Sequence, residues 1–143
     1  MVAFEKATPV NFSRNQIENL ALAFADSTGY KAGEMDIIQY VKENLKGNIE
    51  YTDDDADSSG GSIVVKSRND FTIRLSTVTS PRRDTFTVAH ELGHYVLHSR
   101  LGQKRIGANR AAVNADLVER EANTFAAAFL MRTILLMNSS SIV

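Results

Sequence analysis

The stretch FTVAHELGHYVLH, Phe86 to His98, contains every histidine of the chain and decides how the rest of the sequence is interpreted. Its centre is the pattern H-E-x-x-H, in which His90 and His94 are one helical turn apart, so both imidazoles can reach a single ion. Glu91 projects beside that pair, where a carboxylate can take a proton from water. The same pattern also arises on ordinary polar helix faces, so it needs support from elsewhere in the chain.

A projection at 100° per residue gives this stretch two faces. Five apolar residues share one face: Phe86, Ala89, Leu92, Val96 and Leu97. The groups that bind metal or move protons share the opposite face: His90, Glu91, His94 and His98. Gly93 costs a helix roughly 1 kcal/mol relative to alanine, which indicates that another segment packs closely against the helix at this point.

A third ligand must come from another part of the chain. His98 lies ~12 Å along the helix axis from His90 at ~1.5 Å per residue, whereas zinc needs its nitrogen ligands at ~2.0–2.1 Å. Because the chain has no cysteine, only histidine and carboxylate groups remain as ligands.

The last predicted helix supplies the candidates for this third ligand. Glu121 lies within its apolar face, where an ionised carboxylate is costly unless it is paired or bound to a metal. We therefore predict a His-His-Glu site completed by Glu121, with one position left open for water. The alternative ligand is Glu119, near the edge of the same face. Glu121 could instead form a salt bridge with an arginine or be rotated to solvent.

Composition and charge favour one soluble domain. The 143 residues suffice for a single domain, 1–143, and the contents of 43% hydrophobic and 23% charged residues are typical of globular proteins. A net charge of -1 gives no electrostatic case for a nucleic-acid or membrane partner. The N-terminus lacks the apolar core of a signal peptide, and no segment reaches a membrane-spanning length, so we expect a cytoplasmic protein.

Hydrophobic periodicity predicts the element order helix, helix, three strands, helix, loop, helix, which is an α+β fold. The first helix follows Ser13, a predicted N-cap with Gln16 three residues later, and ends near Gly29. A second helix is expected within residues 33–47 and the last one within residues 115–137. Between the second and third helices, the runs NIEYT, SIVVKS and FTIRLST predict a small three-stranded antiparallel sheet. FTIRLST is expected to offer its edge to an extended peptide.

Two blocks of the sequence resemble the ImmA/IrrE-like metallopeptidases. The first block is RRDTFTVAHELGHYVLH, and the second, after a variable loop, is EREANTFAAAFLM. The resemblance implies a zincin-like metallopeptidase domain in which His90, His94 and Glu121 bind Zn²⁺. Glu91 would then be the general base.

The resemblance also implies a function. Members of that family are linked to mobile elements and stress responses, where they relieve repression by cleaving or binding helix-turn-helix regulators. A zinc endopeptidase of narrow specificity, acting on a transcriptional regulator, is therefore expected. The alternative is a non-catalytic metal-binding module that binds or senses such a regulator, although Glu91 favours catalysis because a purely structural site would not need it. His98 and Asn123 match recurring family positions and are expected to support the site, whereas Arg132 stands where the family often has proline.

Overall fold

The structure, a computed structural model, describes residues 8–52, 61–77, 80–99, 104–106 and 115–131. The described elements follow in the order α1 (Arg14–Thr28), α2 (Ile37–Glu43), β1 (Asn48–Thr52), β2 (Gly61–Ser67), β3 (Asp70–Ser76), α3 (Pro81–Leu97), β4 (Lys104–Ile106) and α4 (Ala115–Leu130). This is the predicted α+β order with one short strand added. Residues 132–137, which were expected to continue the last helix, lie outside the described part of the chain.

Local signals set the limits of the two N-terminal helices. Ser13 caps α1 through the predicted capping box: its hydroxyl accepts from the Gln16 backbone N–H, and the Gln16 side chain accepts from the Ser13 N–H. Gly29 ends the helix in the left-handed region at φ 81°. The second helix is shorter than predicted, because Asp36 caps it and Gly33, at φ 82°, belongs to the turn before it.

The α+β class is confirmed, but the sheet differs from the prediction. Among the described residues it has four strands in the order β1-β3-β2-β4, and β1 runs parallel to β3 rather than antiparallel. β2 and β3 form a hairpin whose turn includes Asn69 at φ 63°. β3 is an interior strand that pairs with β1 on one edge and with β2 on the other. Its apolar residues Phe71, Ile73 and Leu75 are buried. FTIRLST therefore has no edge to offer to a peptide, and that prediction was wrong.

Helix α3 is buried on two sides because it contacts both the sheet and α4. Val88 and Leu92 lie in the apolar core, and the opposite face, predicted to be polar, is enclosed as well: His94 has no exposed surface. Phe86, assigned to the apolar face by the helical projection, is instead 43% exposed. None of the described helices is both long and apolar enough to span a membrane.

The close approach of α3 and α4 depends on Gly93. A Cβ atom at this position would lie 3.0 Å from the backbone oxygen and 3.1 Å from the Cα atom of Ala122, closer than side chains normally pack. The interpretation of Gly93 as a point of close approach is therefore confirmed. This approach brings the first half of α4, with its glutamates, against the histidines of α3.

Candidate metal centre

Three side chains from α3 and α4 direct their donor atoms at one place. The Nε2 atoms of His90 and His94 lie 3.2 Å apart. Glu119 Oε2 is 2.7 Å from the first of them and 3.2 Å from the second. Within the described ranges, this is the group of histidine and acidic side chains whose ligand atoms converge closely enough to hold one ion.

The residues of this group fit a divalent cation. Two imidazole nitrogens and one carboxylate oxygen are a ligand set that catalytic zinc sites use, with a further position left for water or substrate. Both histidines are buried, whereas the Glu119 side chain is 33% exposed. The group is therefore enclosed by protein on the side of α3 and accessible on the side of Glu119.

Each histidine of the group has a partner on its other ring nitrogen. His90 Nδ1 lies 2.7 Å from Asn123 Oδ1. Since an amide oxygen only accepts, this contact places a proton on Nδ1, so Nε2 is the nitrogen that offers its lone pair to a cation once it is deprotonated. His94 Nδ1 lies 2.9 Å from His98 Nδ1. Partners of this kind fix the orientation and tautomer of metal-binding histidines.

Glu121 lies behind this group. Its Oε1 atom is 2.9 Å from His98 Nε2 and accepts from the Val10 N–H at 3.1 Å. Its Oε2 atom accepts from the Asn11 N–H at 2.9 Å. The side chain is only 3% exposed. A buried carboxylate in this apolar face was expected to be paired, and its partners are an imidazole and two backbone N–H groups.

For the third ligand, the structure favours Glu119 over the predicted Glu121. The structure does not bring Glu121 together with His90 and His94, and the alternative, Glu119, converges with them instead. The physical reason is that a helical wheel ranks positions by burial but does not say which buried position faces the neighbouring helix. Glu119 is one turn before Asn123, so the two share a helix face, and that spacing was the signal that could have favoured Glu119.

Glu91 lies on α3 directly beside the group and is fully buried. Its carboxylate is close to Gly61, the first residue of β2. A Cβ atom on Gly61 would lie 3.5 Å from Glu91 Oε2 and would collide with Thr87 Cγ2. Glycine at this position therefore lets the start of β2 pack against the α3 surface that carries Glu91.

The protonation pattern of the group is set by burial and by the carboxylates. Burial lowers the pKa of His94 to about 4. Burial also disfavours the charged form of His90, but the hydrogen bond to Glu119 and the negative charge of Glu91 outweigh it and raise that pKa. Burial opposes ionisation of Glu119, yet hydrogen bonds with both histidines hold its pKa far below the ordinary range. At neutral pH the group thus presents a neutral His94 and an ionised Glu119, the forms that bind metal.

Comparison with models of known protein families places the chain in one of them. Residues 47–139 match the peptidase family model described as the IrrE N-terminal-like domain, a span that includes α3 and α4. The chain belongs to this family. The resemblance stated from two sequence blocks is thereby confirmed, and membership in the IrrE N-terminal-like family supports a metallopeptidase-like role.

A solved structure with a similar fold is described as a Mycobacterium tuberculosis transcriptional regulator. The similarity has a TM-score of 0.51 at 18% sequence identity, and it covers 82% of this chain and 36% of the other. At that identity the comparison shows the fold alone, and this chain spans about a third of its neighbour's length. Comparison with curated proteins gives no match.

Proposed function

We propose that this member of the IrrE N-terminal-like family is a zinc endopeptidase of narrow specificity that cleaves a protein regulator, such as a helix-turn-helix repressor. The observation that carries the proposal is the convergence of His90 Nε2, His94 Nε2 and Glu119 Oε2 beside the buried carboxylate of Glu91. This arrangement combines three metal ligands with a candidate general base, which is what peptide hydrolysis at a metal site requires.

In this mechanism each residue has a separate role. His90, His94 and Glu119 hold the ion, which when bound supplies Lewis acidity for the scissile carbonyl and lowers the pKa of water toward ~7. Glu91 accepts the proton of the attacking water and returns it to the leaving amine. The burial of Glu91 keeps bulk water away from its carboxylate, which strengthens its electrostatic interactions.

The substrate class is proposed from two similarities to known proteins. The family resemblance links such domains to transcriptional regulators, and the structural neighbour is itself described as one. The near-zero net charge of the chain is compatible with a protein substrate and gives no case for direct nucleic-acid binding. A cytoplasmic location belongs to this proposal, because regulators of transcription are found there.

A second candidate is a metal-stabilised module that binds or senses a regulator without cleaving it. The specific observation in its favour is that the three candidate ligands come from two helices, since an ion held by His90, His94 and Glu119 would cross-link α3 to α4. Such an ion would stabilise the fold whether or not catalysis follows.

The two functions are separated by Glu91→Gln, which keeps the size of the side chain and removes the base. We expect the native chain to hold one zinc per molecule and to cleave a helix-turn-helix repressor co-expressed with it. Glu91→Gln should hold the same zinc and cleave nothing. Glu50→Gln, which removes the same charge from an exposed position on the sheet, is the matched control and should cleave normally.

Three outcomes of this experiment would contradict the proposal in different ways. Zinc-loaded native protein that leaves every tested repressor intact but binds one of them favours the module. Cleavage by Glu91→Gln at the native rate rejects Glu91 as the base. Absence of bound zinc in the native chain rejects the metal centre itself.

A further inference from the structure

A chain of buried contacts leads from the candidate metal centre to the N-terminal segment. It starts at His94, whose Nδ1 atom lies 2.9 Å from His98 Nδ1. It continues from His98 Nε2 to Glu121 Oε1 at 2.9 Å. It ends at the backbone N–H groups of Val10 and Asn11, which donate to the two oxygens of Glu121 at 3.1 and 2.9 Å. The side chains of His94, His98 and Glu121 are each at most 3% exposed, so water does not compete for the contacts between them.

The two backbone N–H groups at the far end favour one direction for each proton along this series of contacts. Backbone N–H groups only donate, so the Glu121 carboxylate accepts at both oxygens. If His98 donates its Nε2 proton to Glu121, the Nδ1 atom of the same neutral ring is an acceptor. His94 must then donate from Nδ1, and its Nε2 lone pair points at Glu119 Oε2 and His90 Nε2.

The opposite proton arrangement is incompatible with a metal. A Glu121 that donated to His98 would leave the proton of His98 on Nδ1, pointing at His94. The proton of His94 would then sit on Nε2, where a cation has to bind. The arrangement that suits a cation is therefore the one in which Glu121 is the terminal acceptor.

We propose that His98 and Glu121 are positioning residues for His94: they hold its ring in the orientation and tautomer that bind metal, and they anchor Val10 and Asn11 behind the site. The inference rests on the metal centre of the proposed function, but it does not depend on peptidase activity. Carboxylate–histidine partners of this kind fix the ligand and increase its basicity, and their loss typically weakens metal affinity about 10–100-fold.

The two histidine ligands are supported by different chemistry. His90 has the neutral amide of Asn123 as its partner, whereas His94 has a second imidazole that ends on a carboxylate. A buried carboxylate in an apolar helix face is costly without such partners. The position of Glu121 is therefore explained by its contacts with His98 and the N-terminal segment, and it requires no direct contact with the ion.

The first test is the zinc affinity of Glu121→Gln, measured by competition with a chromophoric chelator. Glutamine keeps the side-chain length but presents an NH₂ group where two N–H donors and His98 require an acceptor. We expect the affinity to fall about 10–100-fold, with the far-ultraviolet circular dichroism unchanged. Glu50→Gln is the control for the lost charge and should bind zinc as the native chain does.

The second test compares two replacements of His98. In His98→Asn the amide oxygen can still accept from His94 Nδ1, whereas His98→Leu removes the acceptor altogether. We expect His98→Asn to retain most of the zinc affinity and His98→Leu to lose about 10–100-fold. Tyr95→Phe, on the same helix but bonded to the Asn69 N–H, is the control and should be neutral.

A third test observes the protons directly. The chain has only three histidines, so ring-nitrogen nuclear magnetic resonance of the zinc-loaded protein resolves each of them. We expect a proton on Nδ1 of His94 and on Nε2 of His98. A proton on Nδ1 of His98 overturns the proposal, as does native zinc affinity in both Glu121→Gln and His98→Leu, or equal losses in the two His98 variants. If the native chain binds no zinc, the proposed function fails instead, so the two failures are distinguishable.

Discussion

Helix α4 has a polar half and an aromatic half, which are held in place by different physics. In the polar half, Glu119 and Asn123 contact His90 of α3, and Glu121 contacts His98, the C-cap of α3. In the aromatic half, Phe125 and Phe129 stack on each other with ring centroids 5.8 Å apart. That cluster continues through Phe24, Tyr30 and Tyr40.

The difference between these halves separates stability from function. The stabilisation from aromatic packing is roughly proportional to the apolar area removed from water, and it tolerates small rotations of the rings. A metal centre needs donor atoms placed within a few tenths of an ångström. We therefore expect substitutions in the aromatic half to change the free energy of unfolding and substitutions in the polar half to change metal affinity.

The largest effect on stability is expected for Phe129→Ala. The side chain is fully buried and stacks on Tyr30 at 4.4 Å, so its loss should lower the free energy of unfolding by about 3–5 kcal/mol. Urea denaturation of the metal-free chain measures this loss. Zinc affinity per folded molecule should stay within about threefold of the native value, and a larger fall would break the separation of the two halves.

The largest effect on metal binding is expected for Glu119→Gln. Removing a ligand should weaken zinc binding by more than about 100-fold, or about 2.7 kcal/mol, which exceeds the loss expected for Glu121→Gln. The metal-free chain should lose only about 1 kcal/mol of unfolding free energy, because the contacts of Glu119 with the histidines are partly exposed. Equal zinc affinities for Glu119→Gln and the native chain, measured by chelator competition, would reject Glu119 as a ligand.

Gly93→Ala is expected to affect both properties at once, because Gly93 sets the distance between α3 and α4. The added methyl group would press on Ala122 and Phe125. Overpacking of about 1–3 kcal/mol is partly offset by the better helix propensity of alanine, about 1 kcal/mol. Urea denaturation should show a net loss of about 1 kcal/mol, and zinc affinity should fall because Glu119 moves away from the histidine pair. A loss in stability alone would mean that the site adapts to the spacing.

The smallest effect concerns the aromatic half at alkaline pH. Burial raises the pKa of Tyr40 to about 12, against a hydrogen bond to Thr28 that lowers it. The unfolded chain releases this proton above pH ~10, so the folded state binds more protons and stability falls as the pH rises from ~10 toward ~12. The loss should be about 1 kcal/mol at pH 11 and should shrink in Tyr40→Phe. Denaturation midpoints at pH 9 and pH 11 measure it, and an equal loss in Tyr40→Phe would assign the effect to another group.

The fold class and half of the site could be predicted from the sequence because they depend on local signals. The capping box at Ser13 and the stop at Gly29 are local signals that hold in any tertiary context, and the cost of Gly93 within a helix pointed to a close approach there. The pairing of His90 with His94 also follows from spacing along one helix. The helical wheel identified Glu121 as a buried carboxylate that needed a partner, which is correct.

The remaining features depend on how separate elements meet. The wheel could not show that Glu119 faces α3 while Glu121 faces His98 and the N-terminal segment, because this depends on the rotation of α4 against α3. The parallel pairing of β1 with β3 was also out of reach. It depends on which strand lies in the interior of the sheet, and the three predicted strands have similar patterns of β-branched and apolar residues.

The central claim is that Glu119 binds the metal and Glu121 supports it from behind. The most direct test is the anomalous diffraction of crystals grown with zinc. It should locate the ion ~2.0–2.2 Å from Nε2 of His90 and His94 and from a carboxylate oxygen of Glu119, with Glu121 still bonded to His98. A Glu121 oxygen at that distance from the ion, with Glu119 turned away, would contradict the claim.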